Sequence, residues 1–542
     1  METRKITDEA SVAGQIAAAD IPAIAAAGFR SIICNRPDNE VVPQPVFADI
    51  AKAAQSAGVM TRYVPVVPGN FTPADIDAFA RAVAELPKPV LAYCRSGSRS
   101  ASLFAELAAL GAGMGEAAAS SSSTATTARP GMRHDIVIVG GGAAGIATAA
   151  SLLARKPDLD IAIIEPTDTH YYQPGWTMVG AGIFNAASTA RAMADVMPRN
   201  VTWIKGAVAG FEPDKNVVVL ESSGEVAYKH LVVCPGIKLN WAGVEGLTAT
   251  LGKNGVTSNY RYDLAPYTWQ LVQELHSGPA IFTQPPMPIK CAGAPQKAMY
   301  LSADHWLRNG RLKDIQVAFY NAGGVLFGVA DYVPALMEYV KRYDAALKFN
   351  HNLTAIDGPA KKAWFAMTAA DGTKSTVEAS FAMIHVCPPQ TAPDFLRGSP
   401  LADQVGWVDI DQGSLRHKRY QNIFALGDAG STPNAKTAAA ARKQAPIVAE
   451  NLLADLGLRT GTAVYNGYGS CPLTVERGKI VLAEFLYGGK VAPSFPPYVI
   501  DGLKPSRTAW MLKAHVLPRV YWEAMLKGRE WMAKPEIDRG GG

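Results

Sequence analysis

Short apolar runs in the first hundred residues, Ser31 to Cys34, Thr61 to Val67 and Val90 to Cys94, alternate with Ala-rich amphipathic stretches, Asp20 to Ala27, Pro45 to Ala57 and Pro73 to Leu86. Short apolar runs bounded by Pro and Gly read as buried strands, and longer amphipathic stretches as helices. The alternation predicts a small parallel α/β sheet. The pattern then stops. Positions 112–131 read AGMGEAAASSSSTATTARPG, which has almost no large apolar side chain to offset the entropy of ordering. Such a segment is a tether, and it sets apart a first unit at 1–111.

The α/β pattern resumes after the tether. Asp135 to Val139 is an apolar strand, followed by Gly140-Gly141-Gly142-Ala143-Ala144-Gly145, a helix-compatible run to Arg155, a second apolar run at Ile161 to Ile164, and Glu165. Glycines there allow a tight turn and let backbone amides approach a pyrophosphate at the helix N-terminus, while the acid accepts from a ribose hydroxyl. Gly140, Gly142, Ala143, Ala144, Gly145 and Glu165 are thus candidate cofactor residues. Far along the chain, Ile423 to Leu426 ends in Gly427-Asp428 and leads to a helix opening near Lys436 and Thr437. In flavoproteins with two dinucleotide folds this element returns to the first fold, and the helix dipole faces the flavin. FAD is the expected ligand. Between the halves lies an α/β stretch at 271–388. Its first strand, Ala280 to Thr283, leads into Lys290-Cys291-Ala292-Gly293-Ala294-Pro295, a thiol in place of a second glycine-rich turn.

A length of 542 residues at about 150 per domain implies three to four domains. They divide as 132–270 for the cofactor fold, 271–388 for a second Rossmann-like fold, 389–490 for the return, and 491–542. The six cysteines, with no CxxC spacing, argue against a zinc ribbon or a disulfide-dense scaffold. No metal site is expected. The METRKITDEA start lacks an apolar core behind it, so no secretory signal is expected. No uncharged apolar run reaches the ~18 residues of a spanning helix.

The net charge of +5 is small and concentrated late, with eight Lys/Arg against four Asp/Glu over 504–542. Nothing here calls for nucleic acid. Thr508 to Met532 interleaves Trp510, Leu512, Leu517, Tyr521, Trp522, Met525, Leu526 and Trp531 with Lys513, Arg519, Lys527 and Arg529. Pro518 divides it into two short helices, the second carrying Trp522, Met525 and Leu526 on one face. Aromatic and apolar groups beside cations describe helices lying in a membrane interface.

The strings HYYQPGWTMVGAG from His170, KCAGAPQKAMYLS from Lys290, GDAGSTPNAKTAAA from Gly427 and YGSCPL from Tyr468 resemble the sulfide:quinone oxidoreductases, in the branch that includes the mitochondrial enzyme. The resemblance runs from about Arg133 to the C-terminus. It implies that Cys291 and Cys471, far apart in sequence, form the redox pair. In that scheme Cys471 holds the sulfane sulfur and Cys291 faces the flavin as a thiolate. It also extends the cofactor set to Gln173, Pro235, Gly236, Gly427, Asp428, Lys436 and Thr437. Many relatives carry cysteine where this chain has Ala429, a position outside the redox pair. Some relatives tether FAD through a further cysteine, where this chain has Ser258, Asn259 and Tyr260, so the flavin is expected to be non-covalent. Hydrogen sulfide, a membrane quinone and a sulfur acceptor such as glutathione or sulfite are the implied partners, at the cytoplasmic face of a bacterial inner membrane. Self-association is left open. Pro388, Pro389 and Phe395 are candidate quinone contacts. Cys34, Cys234 and Cys387 end apolar strands and read as buried hydrophobes.

The first unit resembles phosphatase-like domains fused to enzymes of sulfur metabolism, on the string Cys94-Arg95-Ser96-Gly97-Ser98-Arg99-Ser100. Four residues separate Cys94 from Arg99, the spacing of rhodanese-type loops. A helix N-terminus and flanking arginines favour a thiolate. A persulfide carrier, a docking module and a phosphatase all stay open for this unit. For the whole chain, two rivals stay open as well: an NADH:quinone reductase, and a non-catalytic sulfide or redox sensor.

Overall fold

The computed structural model describes residues 3–538 except positions 8, 39, 41–43, 67–72, 96, 112–130 and 223. The expected tether therefore lies outside the described residues, apart from Gly131. The chain divides into two compact units, Met1–Ser120 and Ser121–Gly542.

In the first unit a five-stranded sheet runs in the order Thr3–Thr7, Ala10–Ala13, Val90–Tyr93, Ser31–Cys34, Met60–Tyr63. The last four are mutually parallel and the first is an antiparallel edge. That edge strand was not expected, because TRKIT is almost wholly exposed and shows no apolar alternation. Helices at Ile21–Ala26, Phe47–Ser56, Pro73–Glu85 and Ser98–Gly111 cover the sheet. Strand residues alternate faces: Ile33 and Ala92 join a core with Phe79 and Leu103, while Ile32 and Leu91 join Ile24 and Ile50.

The second unit is built on the strand Met132–Val139, flanked in parallel by Ile161–Ile164 and Glu225–Val233. Ile423–Ala425 joins Glu225–Val233 in parallel, which brings the late Gly-Asp element back beside the glycine turn. The helices Ala143–Arg155 and Ala438–Asp455 pack on each other over this sheet. A second, parallel sheet has the order Val256–Thr257, Met383–His385, Gly278–Gln284, Ile315–Asn321, Ala346–Phe349. Strands covered on both faces read as the near-continuous apolar runs seen here. A hairpin, Gly469–Glu476 with Lys479–Phe485, packs against the helix Ala294–Arg308 through Leu473, Val475, Val481, Ala298 and Tyr300. This packing sets Cys471 on the strand facing that helix.

The C-terminal segment corrects one expectation. Trp522, Met525 and Leu526, read as a lipid-facing stripe, are 5%, 7% and 1% exposed and belong to the core of the first sheet. Polar latches fix this packing. Arg155 pairs with Glu450 and Glu530, Ser151 donates to Glu530, and Arg191 lies 4.3 Å over the Trp522 ring. Lys513, read as an interfacial cation, is also buried, because the turn Leu512–Val516 is π-helical and shifts the register inward. Met511, Val516, Trp531 and Met532 are the large apolar groups of the segment that stay exposed. Among the described residues no helix is long and apolar enough to cross a membrane.

Candidate active site

The glycine turn and the late Gly-Asp element open on one cavity of about 670 Å³, inside the ~300–1,000 Å³ range of small-molecule sites. Its lining includes Gly140, Gly142, Ala143, Ala144, Glu165, Gln173, Pro235, Gly236, Gly427, Asp428, Lys436 and Thr437. Gly145 lies behind the turn. A Cβ on it would run into Gly140 O, so only glycine lets the helix sit this close to the turn. Glu165 accepts from Gly141 N at 2.8 Å and from the Thr167 amide at 2.9 Å, which holds its carboxylate at the strand end. Thr437 caps the helix Ala438–Asp455 by accepting from Ala440 N. Lys436 donates to the carbonyls of Asp428 and Gly430, beneath the Trp407 ring. It therefore ties the Gly-Asp turn together, a structural duty beyond the cofactor contact expected of it. Burial pushes Lys436 down to about 8 and raises the Asp428 carboxyl.

The residues fit FAD. A Cβ on Gly142 would meet no atom within 4 Å, so the helix start faces open cavity. The second helix N-terminus and the half-buried Asp428 line the same cavity.

Cys291 lines this cavity, and its sulfur lies 3.8 Å from that of the buried Cys471, a non-bonded contact against ~2.05 Å for a disulfide. Cys291 has φ +52° and gives its amide to Lys436 O at 2.8 Å, which links the thiol loop to the return element. The helix that follows starts at Ala294. Lys297, on its first turn and 3% exposed, donates to Cys291 Sγ at 3.2 Å. A hydrogen bond from Cys471, then the charges of Lys297 and Lys513, hold Cys291 well below the usual thiol range. The same hydrogen bond and burial push Cys471 well above it. The pair is thus a thiolate and a thiol, with the thiolate on the side of Lys297.

Lys297 and Lys513 were not read as site residues. Lys297 closes the string KCAGAPQK, and its role needed the helix start at Ala294 to be known. Lys513 depended on the π-helical turn. Gly293 packs so closely that a Cβ there would run into Leu473 and Cys471. A pyrophosphate has no room at this helix start, which counts against a nicotinamide site. Asn321, at the end of the next strand, spends its side chain on Gly323 N and Val325 O.

One curated relative decides the family. A Dictyostelium discoideum protein described as "Sulfide:quinone oxidoreductase, mitochondrial" is 43% identical over 403 residues, 74% of this chain and 87% of the relative. The chain belongs to the sulfide:quinone oxidoreductase family. Residues 134–272 match the family described as pyridine nucleotide-disulphide oxidoreductase. The solved Aquifex aeolicus sulfide:quinone oxidoreductase shares the fold, with a TM-score of 0.60 at 20% identity over 74% of this chain and 92% of that one. Residues 2–111 match the family described as "Beta-lactamase hydrolase-like protein, phosphatase-like domain". An Agrobacterium fabrum beta-lactamase hydrolase-like protein is 39% identical there over 104 residues, 19% of this chain and 24% of that protein. Like other members of the sulfide:quinone oxidoreductase family, this chain is an FAD-type oxidoreductase.

The remaining cysteines are buried. Cys234 is pushed up by burial, and Cys387 to about 12 for the same reason. Phe395 lines the cavity, whereas Pro388 and Pro389 are not among its lining residues; the Pro389 carbonyl accepts from Asn240 N. In the first unit, Cys94 follows the strand Val90–Tyr93 and is 1% exposed. Arg99 is tied into the unit. Its guanidinium pairs with Glu40 at 2.5 Å, a carboxylate it shares with Arg36, and donates to Asn35 O and Val66 O. Ser96 lies outside the described residues.

Proposed function

We propose that the chain oxidises hydrogen sulfide to sulfane sulfur at Cys291 and Cys471, with non-covalently bound FAD, and passes the electrons to a membrane quinone. The observation that carries this reading is the unequal thiol pair beside the cofactor cavity. Hydrosulfide attacks Cys471 Sγ of the oxidised pair. The sulfur–sulfur bond to Cys291 breaks, a bond from Cys471 to the incoming sulfur forms, and the electron pair leaves on Cys291. Lys297 stabilises that thiolate. A nucleophile such as glutathione or sulfite then takes the sulfane sulfur, leaving a second thiolate on Cys471. FAD, when bound, supplies a two-electron acceptor for the thiol pair and a two-electron donor to quinone. Its non-covalent attachment is supported by Ser258, Asn259 and Tyr260, none of which is a thiol. Ser258 is fully buried and accepts from Tyr260 N.

The exposed Met511, Val516, Trp531 and Met532, with Arg507, Arg519 and Arg529 nearby in sequence, support attachment at a membrane surface. We place that surface at the cytoplasmic face of a bacterial inner membrane. For the first unit, a persulfide carrier at Cys94 is favoured over a phosphatase, because four residues separate Cys94 from Arg99, one fewer than the five of a tyrosine-phosphatase loop. A tether at 112–131, as the sequence reads, would raise the local concentration of this carrier to about the millimolar range.

Steady-state turnover tests the reading. Sulfide with a short-chain quinone is expected to turn over, and NADH with the same quinone is not. Quinone reduction by NADH without sulfide overturns it.

A further inference from the structure

Glu484 is a carboxylate buried to 4% exposure in the strand Lys479–Phe485. Uncompensated, such burial is costly. Three donors compensate it here: Tyr468 Oη to Oε1, Ser494 Oγ to Oε1 and Ser494 N to Oε2 at 3.0 Å. Glu484, Tyr468 and Ser494 line the same cavity as Cys291, in a part otherwise walled by Leu482, Phe495 and Leu512. The groups facing the carboxylate from other elements are Arg442 and Lys443 of the helix Ala438–Asp455, and Tyr332, whose hydroxyl bonds the Glu484 backbone. Lys443 Nζ lies 5.3 Å from the Tyr468 ring. A phenol held by a buried carboxylate in an apolar lobe, with cations behind it, has the components of a proton donor.

We propose that Tyr468 is the proton donor to the quinone and that Glu484 is the positioning residue that recharges it. This rests on quinone being the electron acceptor. Quinone reduction takes up two electrons and two protons, converting two carbonyls to hydroxyls. The electrons, with one proton, arrive as the hydride equivalent drawn from sulfide. The second proton comes from Tyr468, whose O–H bond breaks as the quinol O–H forms. Glu484 takes a proton from solvent hydronium and passes it to the phenolate, which restores both groups.

The test is stopped-flow spectroscopy on the full-length holoenzyme, with the two half-reactions followed separately. Tyr468→Phe and Glu484→Gln are expected to bleach with sulfide within about twofold of wild type, and to be reoxidised by a short-chain quinone about 100-fold more slowly. Reoxidation by ferricyanide, which takes electrons without protons, is expected at the wild-type rate in both. Slow reoxidation should carry a solvent isotope effect, and its pH profile should flatten in Glu484→Gln. Unchanged quinone reoxidation, or equal slowing with quinone and ferricyanide, overturns the proposal. If Glu484→Gln fails to fold, Tyr468→Phe, which deletes one oxygen and keeps the ring, decides it. A wild type that is bleached by sulfide yet not reoxidised by quinone marks failure of the underlying reading instead.

Discussion

Lys297 Nζ donates to Cys291 Sγ at 3.2 Å from the first turn of the helix that the thiol loop opens. The contact gives Cys291 a buried cation at hydrogen-bond distance. Lys297 also acts on Cys471, but there the hydrogen bond with Cys291 and burial outweigh it. In the proposed reaction this asymmetry makes Cys291 the leaving sulfur and Cys471 the receiving one. A charge-assisted hydrogen bond contributes about 1.5–3 kcal/mol. Lys297→Met should raise Cys291 back toward the ordinary thiol range and lower its thiolate fraction at neutral pH about ten- to a hundredfold. Alkylation of the reduced protein by iodoacetamide, followed against pH, checks this. The wild-type profile should extend to lower pH, and an unshifted profile in Lys297→Met would falsify the assignment.

The two single cysteine variants should differ in what sulfide leaves behind. Neither can close the sulfur–sulfur bond, so flavin bleaching by anaerobic sulfide should fall by orders of magnitude in both Cys291→Ser and Cys471→Ser. Only the variant retaining Cys291 keeps a thiolate beside the cofactor, so Cys471→Ser alone should show a long-wavelength charge-transfer band while the flavin is oxidised. Absorbance spectra of the two holoproteins with oxidised flavin decide it. Bleaching of Cys291→Ser at the wild-type rate would remove the pair from the electron path.

His170 sits between the glycine turn and the C-terminal helix, with Nδ1 3.1 Å from Gly141 O and Nε2 2.7 Å from Tyr521 Oη. A carbonyl only accepts, so Nδ1 carries the proton and Nε2 accepts from the tyrosine. Burial pushes this imidazole down to about 4. The folded state therefore keeps it neutral while the unfolded chain takes up a proton below about 6.5, and stability falls as pH drops through that window. The loss from this group is on the order of 3 kcal/mol once pH reaches about 4. Urea unfolding between pH 7 and pH 4 measures it, and His170→Gln should flatten the slope by that share.

Much of the architecture was legible because the relevant signals are local. The apolar strand at Met132–Val139, the glycine turn and Glu165 lie within one short stretch, and helix and strand periods there agree with the turn chemistry. The edge strand Thr3–Thr7 was not legible, since an exposed five-residue strand carries no apolar period. Tertiary packing hid the rest. Trp522 and Met525 show the same aromatic and apolar stripe whether the covering surface is lipid or protein, and only the Arg155–Glu530 latch reveals which. Lys513 turns inward through a π-helical turn, which one extra residue in the turn creates and no spacing in the string TAWMLKAHV announces. Glu484 looked like an ordinary strand acid until Tyr468 and Ser494 were seen to bond it.

Arg99 and Glu40 make the first unit a testable object by itself. Breaking a buried ion pair by removing one partner costs about 3–5 kcal/mol, and the Arg99–Glu40 pair is 7% and 19% exposed. Glu40→Gln should therefore lower the thermal midpoint of this unit and leave Arg36 and Arg99 without their shared carboxylate. Inorganic phosphate should stabilise Glu40→Gln more than the wild type in thermal shift. If Cys94 carries sulfur, Cys94→Ala should keep sulfide-dependent quinone reduction within about twofold when sulfite is saturating, because the sulfane sulfur on Cys471 can leave directly. The same variant should lose sulfur delivery when a dilute thiol is the acceptor, since the tether no longer supplies a nearby carrier at about millimolar effective concentration. Product analysis at low and saturating acceptor separates the two regimes. Equal delivery by wild type and Cys94→Ala at every acceptor concentration would reduce Cys94 to a packing residue of the strand end.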